Sequence, residues 1–321
     1  MLTHRNFDFL KVLACPVCGG KLNQVNALLV CKRGHSFHSI DGIPLFYARV
    51  KDLEQFEMHE RVKLDEPYMT SYLSEQIPLL SEDMLPVRNA IRDSLMLDLG
   101  SGMLFPSAVI KKLFGPREII SIDFSYHLIK AGGDLVLKIL NISDKGIFRV
   151  VSDLNLNKLP FANSTFDSVI GRHVIHHIRD PSALLAEVKR VLKPGGICWF
   201  LEPCEAYFPL FKWDSPFKVI FHKVLSSFKG HHVPIPKDIE TEAQCLRKFD
   251  LPYHYHGWRE LFSRFFKVRY FGYPPSTEYL AKDFQVIGRT PVSLRKLVIF
   301  MQFYVRVLFE NPSILIIGEN S

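Results

Sequence analysis

The alternation of apolar runs with amphipathic segments is the first feature of the chain that indicates a fold. Two short apolar runs, residues 95–99 and 118–123, flank a helical pattern over residues 107–114, and Gly100 and Gly102 follow the first run. A run that is apolar at nearly every position predicts a strand buried on both faces, as in a parallel sheet. Glycines directly after such a strand allow a tight turn and a close approach of the backbone to a ligand. The pattern therefore predicts an α/β domain with a candidate binding site at the glycine turn.

The same pattern continues toward the end of the chain. It predicts strands within residues 148–153, 159–171, 197–201, 266–272 and 313–318, and helices over residues 182–192 and 258–265. We therefore expect the core domain to cover residues 95–321, with two insertions, residues 203–257 and 273–312. The first insertion leaves the sheet at its carboxyl edge, where ligands bind in open α/β sheets, so we expect the two to form a substrate cap. Residues 51–94 are charge-rich, and Pro67, Pro78 and Pro86 are expected to break them into short helices. We expect these helices to form a linker that packs on the core.

Cysteine and histidine residues near the N-terminus are spaced like metal ligands. A C-x-x-C pair is followed after twelve residues by a third cysteine and then by a histidine. The candidate ligands are Cys15, Cys18, Cys31 and His35. Four protein ligands complete a tetrahedral zinc site, which is typical of structural rather than catalytic zinc. His38 is an alternative fourth ligand that we disfavour, because residues 37–40 alternate like a strand. The spacing predicts a zinc-binding module over residues 1–50.

Composition limits the class of protein. The 321 residues are 47% hydrophobic and 23% charged, which is typical of a globular chain and not of a disordered one. The net charge of +7 favours an anionic partner only weakly. No run reaches the roughly 20 apolar residues of a spanning helix, and the first residues do not look like a secretory leader. We expect a cytoplasmic protein whose cysteines are metal ligands and free thiols.

The glycine turn resembles the first motif of a known enzyme family. Asp98-x-Gly100-x-Gly102 is similar to that of class I S-adenosylmethionine-dependent methyltransferases, whereas a dinucleotide fingerprint would need a third glycine at Phe105. Methyltransferases of this class often have a glycine where this chain has Leu104.

The residues after the turn extend the resemblance. The pattern L-P-F…F-D-S-V…H-H…E-V-K-R-V-L-K-P-G-G resembles small-molecule methyltransferases that include the ubiquinone and menaquinone methylases, and the match covers residues 95–202. The resemblance implies a Rossmann-like seven-stranded sheet, in which the last strand inserts antiparallel between the fifth and sixth strands. It also implies the cofactor S-adenosylmethionine.

Several residues acquire expected roles from this resemblance. The implied cofactor-binding residues are Asp98, Gly100, Ser101, Gly102, Asp123, Phe124, Asp153, Leu154 and Arg172. The glycine turn would line the methionine part. Asp123, about 20 residues past the glycines, would hold the ribose hydroxyls, with Phe124 against the adenine. Asp153 and the backbone N–H of Leu154 would bind the adenine edge. Arg172 would lie where methionine and acceptor meet.

Histidines after the fourth strand are the candidate general bases. His173 and His177 are the two that we select, although the pair His176-His177 could instead cap and pack the following helix. Glu202 and Glu205, after the fifth strand, could accept a proton or bind a polar group of the acceptor.

The N-terminal module has resemblances of its own. Residues 10–46 look like the small zinc-binding activator protein of tRNA and protein methyltransferases, although that family often lacks a histidine ligand such as His35. The Cys3His spacing also resembles the zinc module of a bacterial 23S rRNA guanine methyltransferase. Both families place such a module beside a methyltransferase core.

Three hypotheses for the function remain open from the sequence. The first is an enzyme that methylates O, N or C of a small, hydrophobic or aromatic metabolite; residues 294–309, apolar nearly all round as a helix, could line its pocket or contact a membrane surface. The second is an rRNA or tRNA base methyltransferase that uses the zinc module for RNA recognition. The third is a non-catalytic scaffold that only binds the cofactor.

Overall fold

The computed structural model describes residues 7–47, 64–154, 158–204, 255–277, 294, 296 and 313–321. Most of the two expected insertions lies outside the described residues, as do nearly all of the apolar segment 294–309 and a possible helix over residues 51–63. Three histidines of the first insertion that could bind a metal or act as a base, His231, His232 and His254, also lie outside them.

Eleven strands form one sheet in the described part of the chain. They are β1 (Leu22–Val25), β2 (Leu28–Cys31), β3 (Ser36–Ile40), β4 (Ile43–Phe46), β5 (Leu95–Leu99), β6 (Glu118–Asp123), β7 (Ile147–Ser152), β8 (Phe166–Arg172), β9 (Leu192–Pro203), β10 (Lys267–Gly272) and β11 (Ser313–Glu319). Their spatial order is β1-β2-β3-β4-β7-β6-β5-β8-β9-β11-β10. Strands β5 to β9 run parallel, and β11 lies antiparallel to both of its neighbours, β9 and β10. The seven-stranded methyltransferase sheet expected from the resemblance is therefore confirmed.

Helices cover both faces of this sheet. They are α1 (Glu66–Met84), α2 (Arg88–Ile91), α3 (Phe105–Phe114), α4 (Gly133–Leu140), α5 (Pro181–Val191) and α6 (Tyr255–Ser263). Alternate residues of β5 enter different cores: Leu97 and Leu99 join one apolar cluster and Met96 joins the other. This alternation is the period of two that a strand imposes, and it explains why every residue of β5 is buried.

Helix α1 differs from the expectation drawn from its prolines. Pro78 lies inside the helix, and Pro67 lies in its first turn, where the missing N–H costs nothing. Asp65 caps the start by accepting a hydrogen bond from the N–H of Tyr68 at 2.8 Å. The buried residues Met69 and Leu73 pack in the same apolar cluster as Phe105 of α3. The helix is thereby held against the core beside the glycine turn.

The N-terminal strands continue the core sheet. Strand β4 pairs in parallel with β7, with Leu45 opposite Val151 and Phe46 opposite Ser152. The module makes a second contact with the core where Leu13 forms an isolated antiparallel bridge with Phe161, a residue that follows β7. The N-terminal module is therefore joined to the core at β7 and again at Phe161, within the segment that links β7 to β8.

Candidate functional site

The carboxyl ends of β5, β6 and β8 form the edge of the sheet where the expected site residues lie. Leu99 of β5 pairs with Ile122 of β6 and with Gly171 of β8. The residues that follow these strands therefore leave the sheet side by side. This edge is where open α/β sheets bind their ligands.

The glycine turn has the backbone geometry that the sequence predicts. Gly100 has a φ of +70°, and a Cβ built on it would lie 2.4 Å from Cγ2 of Val174, so no larger residue fits there. Gly102 also has a positive φ of +51°, with nothing within 4 Å of the position of its Cβ. Between them, the hydroxyl of Ser101 is buried and has no hydrogen-bond partner among the described residues.

Asp98 is completely buried at the end of β5. Its Oδ2 accepts a hydrogen bond from the hydroxyl of Ser107 at 2.6 Å, whereas its Oδ1 has no partner among the described residues. Burial raises the pKa of this carboxyl to about 7. Asp98 thus links the end of β5 to helix α3 and has one oxygen without a hydrogen-bond partner among the described residues.

Asp123 connects the end of β6 to the glycine turn. Its Oδ2 accepts from the N–H of Gly102 at 2.8 Å, and its Oδ1 accepts from the N–H of Ser125 at 3.0 Å. Burial raises its pKa, and hydrogen bonds from the backbone N–H groups of Ser125, Gly102 and Phe124 act in the opposite direction. Each carboxylate oxygen keeps a second lone pair, so the group can still accept from a pair of ribose hydroxyls. Phe124, the expected adenine contact, follows it directly and is half-buried.

The residues expected to bind adenine follow β7. Asp153 is half-buried and Leu154 is buried, and both come directly after Ser152, which pairs with Phe46 of β4. The hydroxyl of Ser152 also donates to the carbonyl of Phe46 at 3.5 Å. The N-terminal module thus adjoins the segment on which adenine recognition depends.

Arg172 is the last residue of β8, and its side chain forms a hydrogen bond with helix α1 instead of an ion pair with a carboxylate. Its Nη2 donates to Oε1 of Gln76 at 2.6 Å, and its guanidinium lies 5.7 Å from the centre of the Phe105 ring. Among the described residues no carboxylate lies within ion-pair distance of it. The positive charge therefore stays available to a ligand at the sheet edge.

The two candidate bases have different environments. His173 has a left-handed φ of +55°, and its buried Nδ1 has no hydrogen-bond partner in the described part of the chain. Burial, followed by the charge of Arg172, lowers its pKa well below the usual value, so the ring is neutral at pH 7. His177 is exposed, and its ring lies against that of His176 with the centroids 3.9 Å apart and the ring planes tilted by 42°. His173 therefore suits a base at this edge better than His177 does.

Glu202 is a residue of this edge whose role the sequence did not reveal. We considered it as a proton acceptor or a ligand for the substrate, but its carboxylate is completely buried. It accepts from the N–H groups of Val174 at 3.1 Å and Ile175 at 2.8 Å, and it pairs with Nδ1 of His176 at 2.7 Å. An acid at the end of an otherwise apolar strand was the only signal in the sequence.

The four expected metal ligands come together in the N-terminal module. Their ligand atoms all lie within 4.8 Å of one another. Sγ of Cys18 is 3.7 Å from Sγ of Cys31, and Nδ1 of His35 is 3.6 Å from Sγ of Cys15. A tetrahedral zinc ion would place sulfur atoms about 3.8 Å apart and sulfur and nitrogen about 3.5 Å apart. The cluster therefore fits zinc. His38, the alternative ligand, is an exposed residue of β3 outside the cluster.

Comparison with known families finds a similarity to methyltransferases over part of the chain. A family model described as a methyltransferase domain matches residues 97–200. A protein named ubiquinone/menaquinone biosynthesis C-methyltransferase UbiE, from Desulfotalea psychrophila, is 34% identical over 107 residues, which are 33% of this chain and 40% of that protein. A demethylmenaquinone methyltransferase from Staphylococcus carnosus is 31% identical over 122 residues, 38% of this chain and 48% of the relative. The chain spans about half the length of the curated relatives it matches.

Solved structures with a similar fold include two complexes. A geranyl diphosphate C-methyltransferase from Streptomyces coelicolor superposes with a TM-score of 0.47 and 15% identity, covering 77% of each chain. A chain from the complex between the Haloferax volcanii Trm112 methyltransferase activator and a methyltransferase superposes with a TM-score of 0.45 and 15% identity, covering 78% of this chain and 94% of that one.

Proposed function

From the premise that this chain is a class I S-adenosylmethionine-dependent methyltransferase, we propose that it transfers a methyl group to O, N or C of a small, hydrophobic or aromatic acceptor. The observation that carries the proposal is the set of unsatisfied polar groups at one sheet edge. Oδ1 of Asp98, the hydroxyl of Ser101 and Nδ1 of His173 are buried without partners among the described residues. Buried polar groups rarely stay unpaired in a folded protein, so these three groups mark the place of a ligand.

The groups at this edge match the parts of the cofactor. Nothing lies within 4 Å of the position of a Cβ on Gly102, which leaves room for the methionine chain. The carboxylate of Asp123 can accept from the ribose hydroxyls. The cation of Arg172 can pair with a carboxylate of the methionine part or with an anionic acceptor group. We expect Asp153 and Leu154 to bind the adenine edge.

The bound cofactor would supply an already activated methyl group, so the protein needs mainly to bind, orient and exclude water. Helix α1 covers Arg172 through Gln76 and limits access of water to the end of β8. His173, neutral at pH 7 with Nδ1 unsatisfied, is the group that we assign to accept a proton when the acceptor carries one.

The choice of acceptor class draws on relatives and on composition. The relatives named above carry quinone-related names, and the chain contains 26 phenylalanines. The family match ends at residue 200, so it covers the cofactor half and leaves the expected cap out. No helix among the described residues combines the length and apolar character needed to cross a bilayer.

We assign a structural role to zinc. All four ligand positions are filled by protein, which leaves none for water or substrate. The module meets the core at the β4–β7 pairing and at the Leu13–Phe161 bridge, on either side of the expected adenine segment. A loaded metal would therefore stabilise the part of the chain that precedes the cofactor site.

The proposal is tested by transfer of labelled methyl from S-adenosylmethionine. The wild type and the Asp123→Ala variant would each be incubated with lipid, aqueous and RNA fractions of a cell extract. We expect label in the lipid or small-molecule fraction with the wild type, and a loss of at least tenfold with the variant. Label in RNA alone would replace the small-molecule proposal with the RNA alternative. No transfer to any fraction, from a protein that binds the cofactor, would favour the scaffold alternative.

A further inference from the structure

Glu202 and His176 form a completely buried pair at the carboxyl edge of the sheet. Both side chains have no solvent exposure, and Oε2 of Glu202 lies 2.7 Å from Nδ1 of His176. The carboxylate also accepts from the backbone N–H groups of Val174, Ile175 and His176 at 3.1, 2.8 and 3.4 Å. One acid at the end of β9 thus holds three consecutive residues that follow β8.

The segment that Glu202 binds, residues 174–176, packs directly against the glycine turn. The side chain of Val174 fills the space beside Gly100, because a Cβ on Gly100 would lie 2.4 Å from Cγ2 of Val174. Gly171 allows the same approach on its other side, since a Cβ there would lie 2.8 Å from Val174 and 2.4 Å from Phe200. Val174 is therefore packed between two glycines, and its side chain contacts the glycine turn.

We propose that Glu202 is a positioning residue for the methionine half of the cofactor, acting through Val174 on Gly100. This inference rests on the proposed function, since the glycine turn is where the methionine part is expected. The adenosine half depends on Asp123 and on the residues after β7, which Glu202 does not contact.

The physical reason is the number of donors that converge on one carboxylate. Without it, three backbone N–H groups and a ring nitrogen in a dry interior would lose their acceptor, and the loop would rearrange to find others. Rearrangement would withdraw Val174 from Gly100, and the turn would then sample conformations that do not fit the ligand. A glutamine keeps the shape but replaces one acceptor oxygen by a donor NH2, which faces donors.

The test compares two ligands that differ only in the part concerned. S-adenosylhomocysteine carries the amino-acid half, whereas 5′-methylthioadenosine lacks it. Both would be titrated by calorimetry into the full-length wild type and the Glu202→Gln variant. We expect the variant to bind S-adenosylhomocysteine five- to tenfold more weakly and 5′-methylthioadenosine within twofold of the wild type. A purely structural role would weaken both ligands equally or neither, and either result would overturn the inference.

Asp167→Asn is the matched control. Asp167 also accepts a backbone N–H, that of Leu95 at 2.8 Å, and pairs with Lys193, but it lies at the opposite end of β8. We expect this variant to lose stability without changing the affinity for either ligand; a selective loss for S-adenosylhomocysteine here as well would overturn the inference.

If Glu202→Gln does not fold, the Val174→Ala variant tests the same inference. It keeps every hydrogen bond of Glu202 and removes only the side chain beside Gly100, so the same selective loss is expected; unchanged binding of S-adenosylhomocysteine would overturn the inference. Binding of neither ligand to the folded wild type would overturn the proposed function, and this inference with it.

Discussion

The side chain of Leu104 occupies the space that a side chain on Gly133 would need. A Cβ built on Gly133 would lie 2.6 Å from Cδ1 of Leu104. Leu104 itself is completely buried and has a left-handed backbone, with φ 61° and ψ 16°, at the start of α3. The methyltransferases that the glycine turn resembles often have a glycine at this position, where that conformation costs little. Here the buried leucine offsets the strain, and the glycine that makes room for it lies on α4.

This pairing predicts a non-additive double mutant. Gly133→Ala alone should destabilise the protein by about 1–3 kcal/mol, because the added methyl overpacks the site. In a Leu104→Ala background the nearest remaining atom of residue 104 is its Cβ, 3.6 Å away, so the same change should cost nothing or stabilise α4. Urea unfolding of the four proteins measures the coupling, which should exceed about 1 kcal/mol.

Met103→Ala is the control for that cycle. Met103 packs beside Gly132 and not beside Gly133, so its truncation should not rescue Gly133→Ala. Equal rescue by both truncations would show that the effect is a general loosening of the helix contact.

Asp98 predicts how the stability of the ligand-free protein depends on pH. Burial raises its pKa to about 7, so the folded chain keeps a proton that the unfolded chain releases near pH 4. The free energy of unfolding should therefore fall as the pH rises from about 4 to about 7, by at most about 4 kcal/mol from this group. Asp98→Asn, which can still accept from Ser107, should remove much of that slope. Urea unfolding at pH 5 and at pH 7.5 measures it, and an identical slope in the variant would contradict the assignment.

The local sequence pattern predicted the exact bounds of some strands, but it did not predict how one helix tolerates a proline. The bounds of β5 and β6 follow from short, largely apolar runs, as expected for strands that are buried on both faces. Pro78 suggested a break, yet α1 continues through it, because packing against the core outweighs the local cost of one proline. The choice of His35 over His38 followed from the strand-like alternation of residues 37–40, and β3 at Ser36–Ile40 agrees with it.

Contacts between remote segments account for the rest. The pairing of β4 with β7 joins residues more than 100 positions apart, and the hold of Glu202 on Val174 spans 28 positions. Neither has a local signature, since the same residues could form a strand or a loop with other partners. The attachment of the module to the core and the contacts of Glu202 therefore became visible only in three dimensions.

The zinc site predicts opposite results for two neighbouring histidines. The purified protein should contain one zinc ion per chain, and His35→Ala should lower its zinc affinity and its thermal stability, because metal binding and folding of such a module are coupled. His38→Ala, which changes an exposed residue of β3, should leave both unchanged. Metal analysis and thermal unfolding of the three proteins test this. Loss of zinc in His38→Ala with retention in His35→Ala would reverse the ligand assignment.

The central claim, that the cofactor binds at the carboxyl edge of β5 and β6, is tested most directly by calorimetric titration with S-adenosylhomocysteine. The wild type should bind one molecule per chain. Asp123→Ala should weaken binding by about 1.5–3 kcal/mol, which is tenfold or more, because the ribose hydroxyls lose a charged acceptor and the glycine turn loses its support. Asp167→Asn should bind within twofold of the wild type. A folded wild type that does not bind at millimolar ligand, or an Asp123→Ala variant that binds as tightly as the wild type, would contradict the account.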